Sequence, residues 1–493
     1  MSKKAIIIGS GIAGLAAAVR LRNLGYAVEV FEANAYPGGK LSEIQLGGYR
    51  FDAGPSLFTL PEQVEELFQL SGREPKDHFE YVRLPVLCQY FWEDGTRLTA
   101  HAEPEMFARE VEEKLGEPAI NVRQSLERSA YMYRHLAPLF MHRSLHRWKT
   151  WINRKAMASY LRMGKLGIFG TMNGANQKQF RNPKLVQLFN RYATYNGSDP
   201  YQTPATLNII PHLEYNIGAF FPKKGMHDIT LSIYQLAKEL GVDFHFNQKV
   251  DKIRVEEGKA VGIQIGDQAH SADLVVNNMD MVNAYRNLLT DQKQPKYLLK
   301  QPKSSSALIF YWGIKKSFPE LDLHNIFFSE DYQAEFSHIF QRGSIYHDPT
   351  VYINITSVYK SDDAPEGGMN WFTMINTPNN QGQDWEKLIS DARKSIIQKV
   401  NRILNTNLEP LIEVEEVLDP RTIESKTSSS QGALYGNSSN NRYAAFLRHA
   451  NDSSDIDQLY FCGGSVHPGG GIPLSLLSAK IMTEMILEKQ VMD

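Results

Sequence analysis

Apolar residues fill positions 5–8, and an alternating run, Ala27-Val-Glu-Val-Phe31, follows after an Ala-rich stretch. Short apolar runs of this kind predict buried strands of a parallel sheet. The stretch between them, residues 14–24, predicts a helix whose Ala16, Ala17 and Ala18 permit close approach to that sheet, with Gly25 as its stop. Farther on, Ile229, Ile233, Leu236 and Leu240 recur at helical spacing before a stop at Gly241, and 384–404 predicts a second amphipathic helix. Strand patterns fall at 242–246, 250–255, 260–265, 272–278, 307–313 and 350–355. A helix at 63–68 precedes strands around 88–95 with a turn at Asp94-Gly95. Near the end, a strand at Leu459 runs through a glycine-rich loop into a helix bearing Leu476, Leu477, Ile481 and Met485 on its apolar face. The alternation of strands and helices predicts an α/β fold.

The first strand enters Gly9-Ser-Gly11-Ile12-Ala13-Gly14, and the second ends on Glu32. Strand, GxGxxG, helix, strand and acid in that order are the dinucleotide-binding fingerprint. Gly9 serves the tight turn, Gly11 lets the backbone reach a pyrophosphate, and Gly14 lets the helix pack on the sheet. The helix N-terminus offers free N–H groups to phosphate, and Glu32 is placed to hold ribose hydroxyls. A signal peptide is the competing reading of Lys3, Lys4 and the uncharged run 5–19, but Gly9, Gly11 and the strand ending in Glu32 oppose it.

A second glycine cluster follows: Pro37-Gly38-Gly39-Lys40, then Asp52-Ala-Gly54-Pro55-Ser56-Leu57. An NAD dehydrogenase has no need of it, whereas the extended FAD requires these additional backbone contacts. Lys40 is expected to pair with a phosphate, with an ordinary turn as the competing reading of Gly38-Gly39-Lys40. The closing loop, Gly463-Gly464-Ser-Val466-His467-Pro468-Gly469-Gly470-Gly471-Ile472, precedes a second helix and predicts a second anion and flavin-ring site.

With 493 residues, two or three domains are expected. The net charge of −2 points to no polyanionic partner, and no apolar run reaches membrane-spanning length. Cys88 and Cys462, far apart in sequence, suit a reduced cytosolic protein, and no Cys/His spacing marks a metal site. No nucleophilic triad or paired carboxylates compete with redox chemistry.

These motifs resemble the bacterial-type carotenoid (phytoene) desaturases, flavoproteins of the amine-oxidase-like superfamily. The run 25–57 is similar to their opening, with Lys40 where they have Arg. Gly432-Ala-Leu434-Tyr435-Gly436 resembles their flavin-proximal GxxYG, and the closing loop their THPGxGxP signature, with Val466 for Thr. The resemblance implies FAD contacts from Ile12, Ala13, Ser56, Leu57, Val250, Asn278, Leu434, Gly464, Gly471 and Ile472. It implies a Rossmann-like FAD-binding domain from 1–70, 218–300 and 445–493, and an α+β substrate domain from 71–127 and 301–444. It further implies hydride removal from a carotenoid, with His467 either taking a proton or bracing its loop. Within the family the opening looks most like the 1-hydroxycarotenoid 3,4-desaturases. Phytoene-type desaturation, flavin amine oxidation and flavin-free isoprenoid binding of the GDP-dissociation-inhibitor type are the alternatives. The terminal electron acceptor, oxygen or a quinone, is left open.

From 128 to 198 there are thirteen Lys or Arg residues and no Asp or Glu, interleaved with Leu145, Trp148, Trp151, Ile152, Tyr160, Leu161 and Phe169. On a helical region, 128–217, that composition suits the anionic face of a bilayer. A solvated basic face and a nucleic-acid surface are the competing readings, and no nucleic-acid reader motif accompanies the charge. The expected setting is the cytoplasm, peripheral to the inner face of the cell membrane.

Overall fold

The computed structural model describes residues 3–152, 170–440 and 448–492. Five parallel strands from widely separated parts of the chain form one sheet, in the order Leu459–Phe461, Leu274–Asn277, Lys4–Ile8, Ala27–Phe31, Asp243–His245. The strand Lys4–Ile8 lies at its centre, so its apolar side chains are buried on both faces. The helix Ile12–Asn23 packs between the closing helix Ile472–Met492 and the helix Asp228–Glu239, and is buried continuously from Ala13 to Leu21. It stops where expected, at Gly25, which takes a φ of +86°.

The predicted strands 250–255 and 260–265 pair antiparallel as Lys252–Glu256 and Lys259–Ile265, with Gln268–Ser271 completing a small sheet. Val250 lies just ahead of the first of these strands, buried beside the five-stranded sheet.

A seven-stranded sheet forms the other half of the molecule. Its order is Ile412–Leu418, Ser306–Ile314, Met369–Thr377, Val351–Asn354, His324–Phe327, Val86–Phe91, Arg97–His101. All neighbours are antiparallel except Val86–Phe91 and His324–Phe327. Because side chains alternate between faces, this sheet has two distinct surfaces. Phe310, Trp312, Phe327, Ile353 and Trp371 pack with Ile396, Ile397 and Val400 of the helix Trp385–Leu404. On the opposite surface Ile309, Ile326, Tyr352, Phe372 and Met374 line a large cavity.

Helices Ala119–Phe140, Met172–Gln179 and Pro183–Asn190 belong to the helical region read from the sequence. The boundary drawn at residue 128 falls inside Ala119–Phe140. The acidic residues cease there, but Val122, Leu126, Ser129, Met132 and Leu136 continue one buried stripe across it. Arg154, Lys155, Tyr160, Leu161, Arg162, Lys165 and Phe169 of the basic block lie outside the described residues. Among the described residues no helix is long and apolar enough to cross a membrane.

Candidate active site

The first glycine loop leads from the central strand into the helix Ile12–Asn23. That helix has Gly11 at its N-cap, no side-chain cap and no acid in its first turn, so its free N–H groups are available to an anion. The second glycine cluster docks on the same loop: Gly38 N–H donates to the Ser10 carbonyl at 2.9 Å. Glu32 is buried beside it. Its carboxylate accepts from Ser10 N–H at 2.8 Å and Ser10 Oγ at 2.9 Å, and from Asn34 N–H at 2.8 Å and Nδ2 at 2.9 Å. These bonds fix the carboxylate at the end of the second strand, on the cavity wall.

Asn278 joins this loop to the closing one. Its Nδ2 donates to the Gly9 carbonyl at 3.3 Å. A Cβ at Gly11 or Gly14 would lie 2.9 or 2.8 Å from that Nδ2, and a Cβ at Gly463 would lie 3.0 Å from Asn278 Oδ1. Glycines from both ends of the chain therefore crowd one amide side chain.

Arg448 and Lys40 hold the remaining loops together. Arg448 donates to the carbonyls of Tyr435 at 2.6 Å and Gly464 at 3.1 Å, and to Asn196 Oδ1 at 3.1 Å. Burial lowers its pKa to about 10. Lys40, expected at a phosphate, directs Nζ to the Leu434 carbonyl at 2.8 Å and the Ala433 carbonyl at 3.3 Å. Burial depresses its pKa to about 8, against the attraction of Asp280. Nothing local in the sequence announces Arg448, because its partners come from three distant segments.

One cavity of about 1450 Å³ runs past all these loops and along the apolar face of the seven-stranded sheet. A pocket for one small ligand is roughly 300–1,000 Å³. The cavity thus has room for an extended dinucleotide together with a long substrate. Gly9, Gly11, Ile12, Ala13, Glu32, Lys40, Ser56, Leu57, Val250, Asn278, Leu434, Gly464, His467, Gly471 and Ile472 all lie on its wall. Gly14 lies behind the wall, where the helix meets the loop.

A buried charge sits in the substrate-side wall. Arg191 donates to Tyr195 OH at 2.6 Å and Tyr90 OH at 2.7 Å, and stands 3.5 Å from Glu214. Tyr192 OH in turn donates to Glu214 at 2.7 Å. Arg191 belongs to the basic block of the sequence but is not a surface cation; Glu214, just beyond the acid-free stretch, supplies its counter-charge.

Three imidazoles here are held neutral. Burial lowers the pKa of His324 to about 3 and those of His449 and His467 to about 4. The unfolded chain, with ordinary values near 6.5, then binds more protons than the folded chain in the intervening range. Their contribution is complete above about pH 6.5 and is lost as pH falls toward 4, on the order of 2 kcal/mol for each ring at pH 5. Urea unfolding at pH 7 and pH 5 is expected to show a lower midpoint at pH 5, with a smaller drop in His449→Gln. Equal midpoints for the wild-type protein would contradict this.

The glycine loops, the two helix N-termini free of acidic first turns, and the buried Glu32 fit FAD. Fold and site together define an FAD-dependent oxidoreductase. Comparison with known proteins agrees: a family profile described as flavin containing amine oxidoreductase matches residues 12–487, and the chain belongs to that family. It is 54% identical to the 1-hydroxycarotenoid 3,4-desaturase of Flavobacterium sp. (strain P99-3), covering 98% of this chain and 99% of that protein. It is 28% identical to the phytoene desaturase of Fusarium fujikuroi, covering 99% and 90%. Among solved structures, cyclohexylamine oxidase from Brevibacterium oxydans IH-35A shares the fold, with a TM-score of 0.62, 15% identity and full coverage of both chains.

Proposed function

We propose that the protein is an FAD-dependent carotenoid desaturase that introduces the 3,4 double bond into a 1-hydroxycarotenoid. The observation that carries this reading is the continuity of the dinucleotide cradle with a long chamber roofed by Ile309, Ile326, Phe372 and Met374. An acyclic polyene offers little for polar groups to grip, so an apolar wall must hold it by dispersion and exclude water. Bound FAD supplies an acceptor for the hydride leaving a C–H bond beside the polyene.

The residues of the chain do the positioning. Gly11 and Gly471 would let the backbone come close to the cofactor, and Glu32 would hold its ribose hydroxyls. The ring of His467, with Nε2 2.8 Å from the Arg143 carbonyl, braces the closing loop. Neutral and deeply buried, it is a poor base. Hydride loss leaves a positive charge on the polyene; its delocalisation stabilises the intermediate, the charge acidifies the neighbouring C–H, and a weak acceptor such as solvent water suffices for the proton. Supplying the FAD-loaded protein with a 1-hydroxylated carotenoid in liposomes is expected to red-shift the polyene spectrum. Oxidation of amines with no response to any carotenoid would overturn the reading.

A carotenoid reaches the chamber from a bilayer, and the exposed cations beside it suit an anionic surface at the inner face of the cell membrane. Arg134 and Arg143 are exposed, and neighbouring Leu136, Ala137, Phe140 and Met141 line the chamber. Arg147 and Lys184 are less free, being paired with Asp452 and Asp94. Each surface cation contributes about 1 kcal/mol to binding an anionic membrane. The variant Arg134→Gln/Arg143→Gln is therefore expected to bind anionic vesicles roughly thirtyfold more weakly in flotation, and undiminished binding would refute the surface assignment.

A further inference from the structure

The cavity-facing surface of the seven-stranded sheet is mostly apolar, with Asn376 near one end and a short chain of hydrogen-bonded polar side chains across it. Tyr311 on this surface is satisfied, its hydroxyl donating to the Ala53 carbonyl at 2.7 Å. Tyr352 OH lies 2.7 Å from Ser56 Oγ and 2.7 Å from His324 Nδ1. Asn354, opposite His324 on the neighbouring strand, brings Nδ2 within 3.3 Å of the same Nδ1. An amide nitrogen only donates, so Nδ1 is an acceptor and the ring proton sits on Nε2. Burial keeps the ring neutral, with a pKa near 3, so this is its one N–H. His324 lines the cavity and is 4% exposed, and its Nε2 has no hydrogen-bond partner among the described residues.

We infer that His324 recognises the hydroxyl group of the substrate, its Nε2–H donating to the hydroxyl oxygen, with Tyr352 and Ser56 as positioning residues. The inference rests on the proposed 1-hydroxycarotenoid reading and adds the group that tells such a substrate from an unhydroxylated polyene. A buried donor without an acceptor is unfavourable, and a hydrocarbon end group leaves it so. A hydroxyl oxygen removes the penalty, and sites built to bond a hydroxyl discriminate strongly against analogues that lack it. The placement is consistent with the reaction. The carbon bearing the hydroxyl is separated from C3 by only two carbon–carbon bonds, so its recognition group must stand close to the reacting bond. The chain Ser56–Tyr352–His324 begins in a segment assigned to the cofactor, two hydrogen bonds from the imidazole.

The test compares a 1-hydroxylated acyclic carotenoid with the same polyene lacking the hydroxyl, using FAD-loaded protein and following both turnover and competitive binding. The wild-type protein is expected to prefer the hydroxylated compound by roughly tenfold or more in kcat/KM. His324→Phe should abolish most of that preference, while His324→Gln, whose amide can donate from a similar position, should restore part of it. A preference that survives His324→Phe in protein with normal flavin content overturns the inference. If His324→Phe does not retain flavin, wild-type competition decides: equal competition by the unhydroxylated polyene overturns it, and at least tenfold weaker competition supports it. A wild-type protein that desaturates neither polyene overturns the functional reading as well, a result distinct from loss of selectivity alone.

Discussion

Replacing Gly14 by alanine is expected to yield a protein that no longer retains FAD and unfolds at markedly lower urea. A Cβ at this position would lie 2.2 Å from the Gly9 carbonyl oxygen and 2.8 Å from Asn278 Nδ2. Neither neighbour can withdraw easily. The Gly9 carbonyl belongs to the turn leaving the central strand, and Gly9 N–H is tied to the Phe31 carbonyl at 2.8 Å. Asn278 is fixed by its own N–H to the Ile8 carbonyl at 2.9 Å and touches glycines of both loops. Relief therefore requires the helix Ile12–Asn23 to move off the sheet, at a cost of about 3 kcal/mol or more. Flavin absorbance per mole of purified protein and the urea midpoint measure the effect. Normal values for both would mean that the helix does not pack as closely as the structure places it.

The second large effect is expected at Arg50, which joins the two halves of the molecule. Its guanidinium contacts Asp52 at 2.8 Å, Glu43 at 2.9 Å and Asp363 at 3.3 Å. The Asp52 and Asp363 side chains are 1% and 0% exposed. Asp52 also accepts the N–H groups of Met226 at 2.8 Å and His227 at 3.0 Å, ahead of the helix Asp228–Glu239. Asp363 belongs to the segment beside the seven-stranded sheet. Arg50→Gln leaves buried Asp52 without its counter-charge and Asp363 with Lys360 alone, 2.7 Å away, and breaking a buried pair from one side costs about 3–5 kcal/mol. Urea unfolding is expected to register that loss. A change below about 1 kcal/mol would show that water reaches these carboxylates and that the hub does not couple the halves.

Legibility in the sequence tracks how local the determining interactions are. The strand, glycine loop and helix of 5–25 and the loop and helix of 459–492 were readable because residue spacing alone specifies them. The turn at Asp94-Gly95 and the helix Trp385–Leu404 were readable for the same reason. The seven-stranded order was not, since it pairs Val86–Phe91 in parallel with His324–Phe327 and no local pattern encodes that neighbour. Lys40 shows the same limit at the site. Its position after two glycines is visible in the sequence, but the carbonyls it binds belong to residues 433 and 434. A count of cations could not separate Arg191 from Arg143, because burial against Glu214 is a property of the fold. Arg50 and Asp52 stand two apart on one strand and so share a face, a signal that the presence of Asp363 completes only in three dimensions.

We propose that the two glycine loops close around one FAD whose reactive end would open into the chamber for a hydroxylated polyene. The most direct test is to mix the FAD-loaded protein anaerobically with one equivalent of 1-hydroxycarotenoid and record the flavin and polyene spectra together in a single turnover. The flavin's visible band is expected to bleach at the same rate as the polyene band moves to longer wavelength. A flavin that stays oxidised while the carotenoid is bound, or a polyene shift with no matching flavin reduction, would contradict the proposal.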